Sequence, residues 1–185
     1  TDSFLDKYKG QTGGLYNAIA PLREFSRYLS QLGYRDVYLI PPKQMPKLHP
    51  EAPYFFSEDE LFCFFRECDS YYAENIGPRA RGIIMPTLFR LLYCCGLRPK
   101  EARMLPYGNV NLTEKYIDII QSKGPKSRRI FISDELASYL MVYDSHVSAI
   151  FPERDYFFPA DIDKPYSTQT LCYNFTLIWK KAFSE

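Results

Sequence analysis

The 185-residue sequence contains no apolar run that approaches the roughly 20 residues needed for a membrane-spanning helix. It has only two histidines, and neither lies near a second histidine or a carboxylate cluster. Its five cysteines are an odd number without CxxC spacing, which argues against a disulfide framework and a zinc site. The glycines form no phosphate-cradling loop. We therefore expect no membrane span, metal or cofactor, and we expect reduced, buried cysteines in a cytoplasmic protein.

A net charge of only +1 is unusual for a protein that binds nucleic acid, because phosphate binders are generally basic. The charge is unevenly distributed, however. Residues 1–132 carry 19 Lys and Arg against 14 Asp and Glu, whereas residues 133–185 carry 4 against 8. This asymmetry is typical of a chain with one phosphate-facing side.

The pattern of apolar residues predicts a mainly α fold with a small antiparallel β-sheet. Two β-branched or aromatic runs, 116–120 and 128–132, flank Gly124-Pro125 and predict a β-hairpin with a tip longer than two residues. A short strand is also possible at 156–158. Helical spacing bounded by capping or stop residues predicts the remaining elements, at 14–32, at 58–69 after the Ser57–Glu60 capping box, from about 84 to 95, after Pro99, after Ser133 and after Ser167.

A proline-rich stretch divides the chain. Residues 40–53 contain five prolines, which is typical of an extended, semi-rigid linker. We therefore expect one unit over residues 1–40, a linker over 41–53 and a larger domain over 54–185.

Two basic segments could carry chemistry. Residues 91–102 (LLYCCGLRPKEA) place Arg98 on a sharp helix–turn–helix corner, and a guanidinium offers a planar fork of donors that matches two phosphate oxygens. The plainer alternative is a surface arginine that caps the preceding helix. Lys123 lies at the predicted hairpin tip, where a lysine can give a proton to a leaving oxygen or can simply provide solubility.

Neighbouring residues extend this pattern. Residues 121–132 (QSKGPKSRRIFI) contain no acid, so Lys126, Arg128 and Arg129 are candidate DNA contacts, with a solvated charged tip as the alternative. Glu101 follows Arg98 by three residues and could support Arg98 on one helix face, or form an ordinary surface ion pair with it.

In their order along the chain, these segments resemble the tyrosine recombinase (phage integrase) family. Residues 91–102 resemble the family's first catalytic box, and residues 121–132 resemble the hairpin that carries its catalytic lysine. The helix that begins at residues 57–61 (SEDEL), after a proline linker, resembles the start of the catalytic domain. Residues 14–33 resemble the last helix of the upstream core-binding domain, so residues 1–40 would be a remnant of that domain and residues 54–185 the first half of the catalytic domain.

The resemblance implies a site-specific recombinase that integrates or recombines DNA of mobile elements by cutting and rejoining double-stranded DNA through a 3′-phosphotyrosine, without metal or cofactor. Arg98 would hold the scissile phosphate, Lys123 would be the general acid for the 5′-oxygen, and Glu101 would support the arrangement. Other recombinase protomers on the DNA would be partners. The family's His-x-x-Arg box and nucleophilic tyrosine have no match here, so we assign no nucleophile and expect an incomplete chain that is inactive alone.

Two other interpretations remain open. The chain could be a catalytically decayed relative that only binds DNA or a protein partner, or a helical scaffold without a role in nucleic-acid binding. If half of the domain is missing, the apolar face of the last helix should be exposed at Leu171, Phe175 and Ile178. We then expect the chain to self-associate.

Overall fold

The computed structural model describes residues 6–8, 10–47, 52–74, 80–120 and 127–183. The chain divides into two compact units, residues 1–55 and residues 56–185. The assignment of the first unit to a core-binding domain stays a prediction. None of the helices in the described ranges combines the length and the apolar character needed to cross a bilayer.

The first unit contains one long helix, α1 (Thr12–Gln31), and short 3-10 turns at Asp6–Tyr8 and Pro42–Gln44. Pro21 lies inside α1 and does not end it. The helix stops just before Gly33, whose φ of +86° lies in the left-handed region that glycine adopts without strain. Only Ile19 is buried among the residues of α1.

The described residues of the second unit form five α-helices: α2 (Glu58–Glu74), α3 (Arg81–Cys95), α4 (Pro99–Arg103), α5 (Asp134–Ile150) and α6 (Thr168–Phe183). The predicted capping box begins α2. The Glu60 N–H donates to the Ser57 hydroxyl at 3.2 Å, and the Ser57 N–H donates to the Glu60 carboxylate at 2.7 Å. These bonds satisfy two backbone donors at the helix start, and α2 continues five residues past its predicted end at residue 69.

Helix α3 is the centre of the core. It begins at Arg81, earlier than the sequence pattern indicated, directly after Ala80 in the left-handed conformation. Helix α2 packs against both α3 and α6, and α5 packs against α3. Because α3 is apolar around most of its circumference, it can be covered on several sides. Its buried residues are Gly82, Ile84, Met85, Pro86, Thr87, Leu88, Phe89 and Leu91.

The predicted hairpin is confirmed as part of a three-stranded antiparallel sheet in the order β1-β2-β3. Its strands are β1 (Val110–Asn111), β2 (Tyr116–Ile119) and β3 (Arg128–Phe131). Strand β1, which the sequence pattern did not reveal, pairs with β2 on the side opposite β3. With only two residues, β1 is too short to show an alternating pattern.

A second small sheet pairs β4 (Pro159–Asp161) with β5 (Lys164–Pro165). The prediction of a short strand at 156–158 is wrong. Tyr156 forms only an isolated bridge with Pro106, and the next two residues, Phe157 and Phe158, are buried in the core. Two consecutive core side chains do not fit the alternation of a half-exposed strand.

The expectation that all the cysteines are buried is wrong for most of them. Cys68 is buried, Cys63 and Cys95 are half-buried, and Cys94 and Cys172 are exposed. Burial raises the pKa of the Cys68 thiol to about 12. Cys94 and Cys95 lie on the last turn of α3, which is apolar nearly all round, so its sequence does not show which side of that turn faces solvent.

An apolar groove of about 500 Å³ lies between α2, α3 and α6. The expected exposure of α6 is only partly right. Leu171 and Ile178 are buried, whereas Phe175 is 37% exposed and lines the groove with Phe64 and Phe89.

Candidate functional site

The corner that carries Arg98 follows from three consecutive local signals. Helix α3 ends at Gly96, which adopts a left-handed φ of +58°, and the buried Leu97 then anchors the chain in the core. Arg98 is extended and serves as the N-cap of α4, and Pro99 is the first residue of that helix. Proline suits this position because it has no N–H to satisfy and its φ is already helical. The backbone at Arg98 is therefore held on both sides.

Glu101 is the centre of the site. Its side chain is only 4% exposed although it is charged, so its carboxylate needs partners inside the protein. Within the described part of the chain, four donors converge on its two oxygens. Oε1 accepts from Arg98 Nη1 at 2.8 Å and from Arg128 Nη1 at 3.1 Å, and Oε2 accepts from the Arg98 backbone N–H at 2.9 Å and from Arg128 Nη2 at 2.6 Å. Four donors match the four lone-pair positions of a carboxylate.

Arg98 and Arg128 approach Glu101 from different elements. Arg98 comes from the corner before α4, three residues from the carboxylate, and its side chain is 58% exposed. Arg128 comes from β3, 27 residues away along the chain, and its side chain is 40% exposed. The hydrogen bonds to Glu101 raise the pKa of the Arg128 guanidinium above its usual value. The described trio carries one net positive charge and borders solvent.

The pleat of the hairpin explains why Arg128 reaches Glu101. Arg128 lies opposite Ile119 and therefore shares its face of the sheet, and Ile119 and Ile117 are buried against the core. Arg129 lies opposite Asp118 on the other face. Two adjacent arginines consequently point to opposite sides of the same strand.

Arg129 has its own acidic partner on the outer face. Its Nε and Nη2 each donate to a carboxylate oxygen of Asp118 at 2.8 Å, and its guanidinium lies 3.7 Å from the centre of the Tyr116 ring. The hydrogen bond from Arg129 lowers the pKa of Asp118 below its usual value. The prediction that Arg128 and Arg129 contact DNA stays a prediction, and the structure adds that each arginine already engages one carboxylate through two nitrogens.

Lys123 and Lys126 lie outside the described residues. The assignment of Lys123 as a general acid and of Lys126 as a DNA contact therefore stays a prediction. Within the described ranges, no group of His, Cys, Asp and Glu side chains could hold a metal ion.

The sequence pattern anticipated the contact between Arg98 and Glu101 but not the one between Arg128 and Glu101. The first pair is three residues apart on a helix start, a spacing that brings side chains together. The second pair depends on how the sheet packs against the corner. The alternation Ile117-Asp118-Ile119 was the available signal, because it fixes which residues of the paired strand share the buried face.

A model of the phage integrase family matches residues 58–185. The tyrosine recombinase XerD of Pseudomonas putida is 32% identical over 127 residues, which are 68% of this chain and 39% of that protein. The tyrosine recombinase XerC 2 of Ralstonia nicotianae is 25% identical over 162 residues, which are 85% of this chain and 44% of that protein. The chain thus spans less than half the length of these curated relatives.

Solved structures resemble this fold over nearly the whole chain. The crystal structure of XerA recombinase matches with a TM-score of 0.56 and 25% identity, over 95% of this chain and 57% of that one. The XerH site-specific recombinase bound to its difH substrate matches with a TM-score of 0.70 and 19% identity, over 98% of this chain and 52% of that one. The second likeness is one of fold.

Proposed function

The chain belongs to the phage integrase family, and on that premise we propose that it is the part of a tyrosine recombinase that grips double-stranded DNA and contributes the first catalytic arginine. Its curated relatives are tyrosine recombinases by name. The observation that supports this function best is the convergence of Arg98 and Arg128 on the buried carboxylate of Glu101. A guanidinium that is held rigidly at the edge of solvent, in a site with net positive charge, suits a phosphodiester.

Each residue has a proposed role in the reaction of the complete enzyme. Arg98 would hold the scissile phosphate and stabilise the charge that builds up on its oxygens. Glu101 would fix the position of Arg98. A tyrosine hydroxyl would attack phosphorus to form the 3′-phosphotyrosine, and Lys123 would give a proton to the departing 5′-oxygen. Lys126 and Arg129 would contact neighbouring phosphates.

The 185 residues do not contain all the groups that this reaction needs. Neither histidine is followed three residues later by an arginine, so the His-x-x-Arg box has no match. The last tyrosine, Tyr173, is exposed on α6 and is assigned no role as a nucleophile. We therefore expect this chain to bind DNA without forming a covalent adduct. We also propose that it acts in the cytoplasm and assembles with other recombinase protomers on DNA.

The test is the salt dependence of binding to a mixed-sequence duplex about 30 base pairs long, which spans about three helical turns. Each phosphate contact that is lost lowers the slope of log K against log salt by about 0.9. The triple variant K123A/K126A/R129A should therefore lower the slope by up to about three. The control K180A/K181A removes two lysines of α6 that lie outside the proposed interface, and it should leave the slope unchanged.

A slope that is the same in the triple variant and the unmodified chain would contradict the DNA-facing hairpin. Failure of the unmodified chain to bind any duplex at low salt would favour a helical scaffold. Incubation with a nicked duplex, followed by denaturing electrophoresis, tests the other part of the proposal, and a covalent protein–DNA band would contradict the expected lack of cleavage.

A further inference from the structure

Arg98 and Arg128 contact Glu101 in different ways, and this difference supports a further inference, which rests on the proposed function. We infer that Arg128 is a positioning residue that acts through Glu101, and that its guanidinium leaves Arg98 with the net positive charge needed to bind a phosphodiester. Arg128 would thus serve the site without touching DNA, and this role replaces the DNA contact that the sequence pattern predicted for it.

The first argument is the geometry of the hydrogen bonds. Arg128 faces the carboxylate end-on, with Nη1 on one oxygen at 3.1 Å and Nη2 on the other at 2.6 Å. This fork-to-fork arrangement fixes distance and orientation together. The side chain of Arg98 meets one oxygen through Nη1, and its backbone N–H meets the other. Arg128 is therefore the partner that holds the plane of the carboxylate.

The second argument is the charge balance. A buried carboxylate beside a single arginine would cancel the charge that attracts phosphate. With Arg128 present, the trio of Arg98, Glu101 and Arg128 keeps one net positive charge at a surface where Arg98 is the more exposed of the two cations. Removal of Arg128 would take one positive charge from this trio, so that the charges of Glu101 and Arg98 cancel each other in a setting of reduced solvent screening.

The third argument is mechanical. The ion pair joins β3 to the corner before α4, and Ile117 and Ile119 of the paired strand are buried in the same core. In the sequence, β3 begins two residues after the segment 121–126, which contains Lys123. Arg128 therefore ties the strand after the predicted general acid to the residue that would hold the phosphate.

The experiment compares R128Q, E101Q and the double variant E101Q/R128Q by duplex binding of the full 185-residue chain at low salt, well below each melting temperature. R128Q should weaken binding about tenfold, as expected for the loss of a charge-assisted contact. In the double variant, E101Q should restore most of the lost duplex affinity, because it removes the negative charge that Arg128 had neutralised. R129Q is the matched control, since it removes the same charge from the next residue, and its defect should not be restored by E101Q.

The outcome separates positioning from direct contact. If Arg128 itself grips DNA, the R128Q defect will persist in E101Q/R128Q as it does in E101Q/R129Q, and the inference is overturned. Melting temperatures of all variants show whether each is folded at the assay temperature. If E101Q/R128Q regained stability without regaining DNA binding, the role of Arg128 would be purely structural, and the inference would again be overturned.

A second measurement keeps this inference separate from the proposed function. The guanidinium NMR signal of Arg98, assigned by its loss in R98K, is followed during titration with inorganic phosphate. We expect a response in the unmodified chain, a response about tenfold weaker in R128Q, and recovery in E101Q/R128Q. If this pattern appears but the chain binds no duplex, the DNA function fails and the role of Arg128 stands. If R128Q responds to phosphate like the unmodified chain, the role of Arg128 fails.

Discussion

Replacement of Glu101 by alanine tests the arrangement of the site without reference to DNA. The substitution removes an acceptor of four hydrogen bonds and leaves Arg98 and Arg128 facing each other without their shared anion. Removal of one partner from a fully buried ion pair costs about 3–5 kcal/mol. Both arginines are partly exposed and can be rehydrated, so we expect the lower value of about 2–3 kcal/mol in the free energy of unfolding.

The assay is equilibrium denaturation in urea, with D118A as the matched control. Asp118 also binds an arginine of β3 through both oxygens, but this carboxylate lies on the outer face of the sheet. Exposed ion pairs contribute little to stability because water screens them. D118A should therefore lower the free energy of unfolding clearly less than E101A does.

Added salt provides a second readout for E101A. The two guanidinium groups left in E101A repel each other, and this repulsion is screened as ionic strength rises. The difference in the free energy of unfolding between E101A and the unmodified chain should therefore become smaller as salt is added. If E101A and D118A were equally mild, or if the deficit of E101A were independent of salt, the description of Glu101 as the buried centre of two arginines would be refuted.

Two further predictions concern the core. The buried hydroxyl of Tyr143 donates to the Phe157 carbonyl at 2.8 Å, so Y143F should lower the free energy of unfolding in urea by about 1–2 kcal/mol; an unchanged value would contradict that bond. Because burial raises the pKa of Cys68 to about 12, the unfolded state ionises this thiol first as pH rises, and stability should fall between about pH 9 and pH 12. The fall should be less steep in C68A, and an equal slope in C68A would contradict the burial of this thiol.

Local signals in the sequence predicted the individual parts of the fold well. The Ser57 capping box, the Gly96 stop with Pro99 after it, and the two β-rich runs each involve residues a few positions apart, and each is found in the structure. Backbone sterics and nearby hydrogen bonds determine such features, so a short stretch of sequence contains the information.

Features that depend on long-range packing were less accessible. The exposure of Cys94 and the core position of Phe157 depend on which neighbouring elements cover each residue. The contact between Arg128 and Glu101 joins two segments that are 27 residues apart. Neither propensity nor helical spacing contains that information, because it arises only when the sheet packs against the corner.

The register of the hairpin depends both on local sequence pattern and on long-range packing. Val110, Ile117 and Ile130 lie side by side across the sheet, and burial of Ile117 and Ile119 fixes which face turns inward. A slip of one residue would exchange the faces of β3 and present Arg129 to Glu101 and Arg128 to solvent. The faces of β2 would not change, but Ile130, which packs against the core opposite Ile117, would turn to the outer face, and the loss of its burial opposes that slip. The register between β2 and β3 therefore selects which arginine joins Arg98, so the chemistry of the site depends on the burial of side chains that take no part in it.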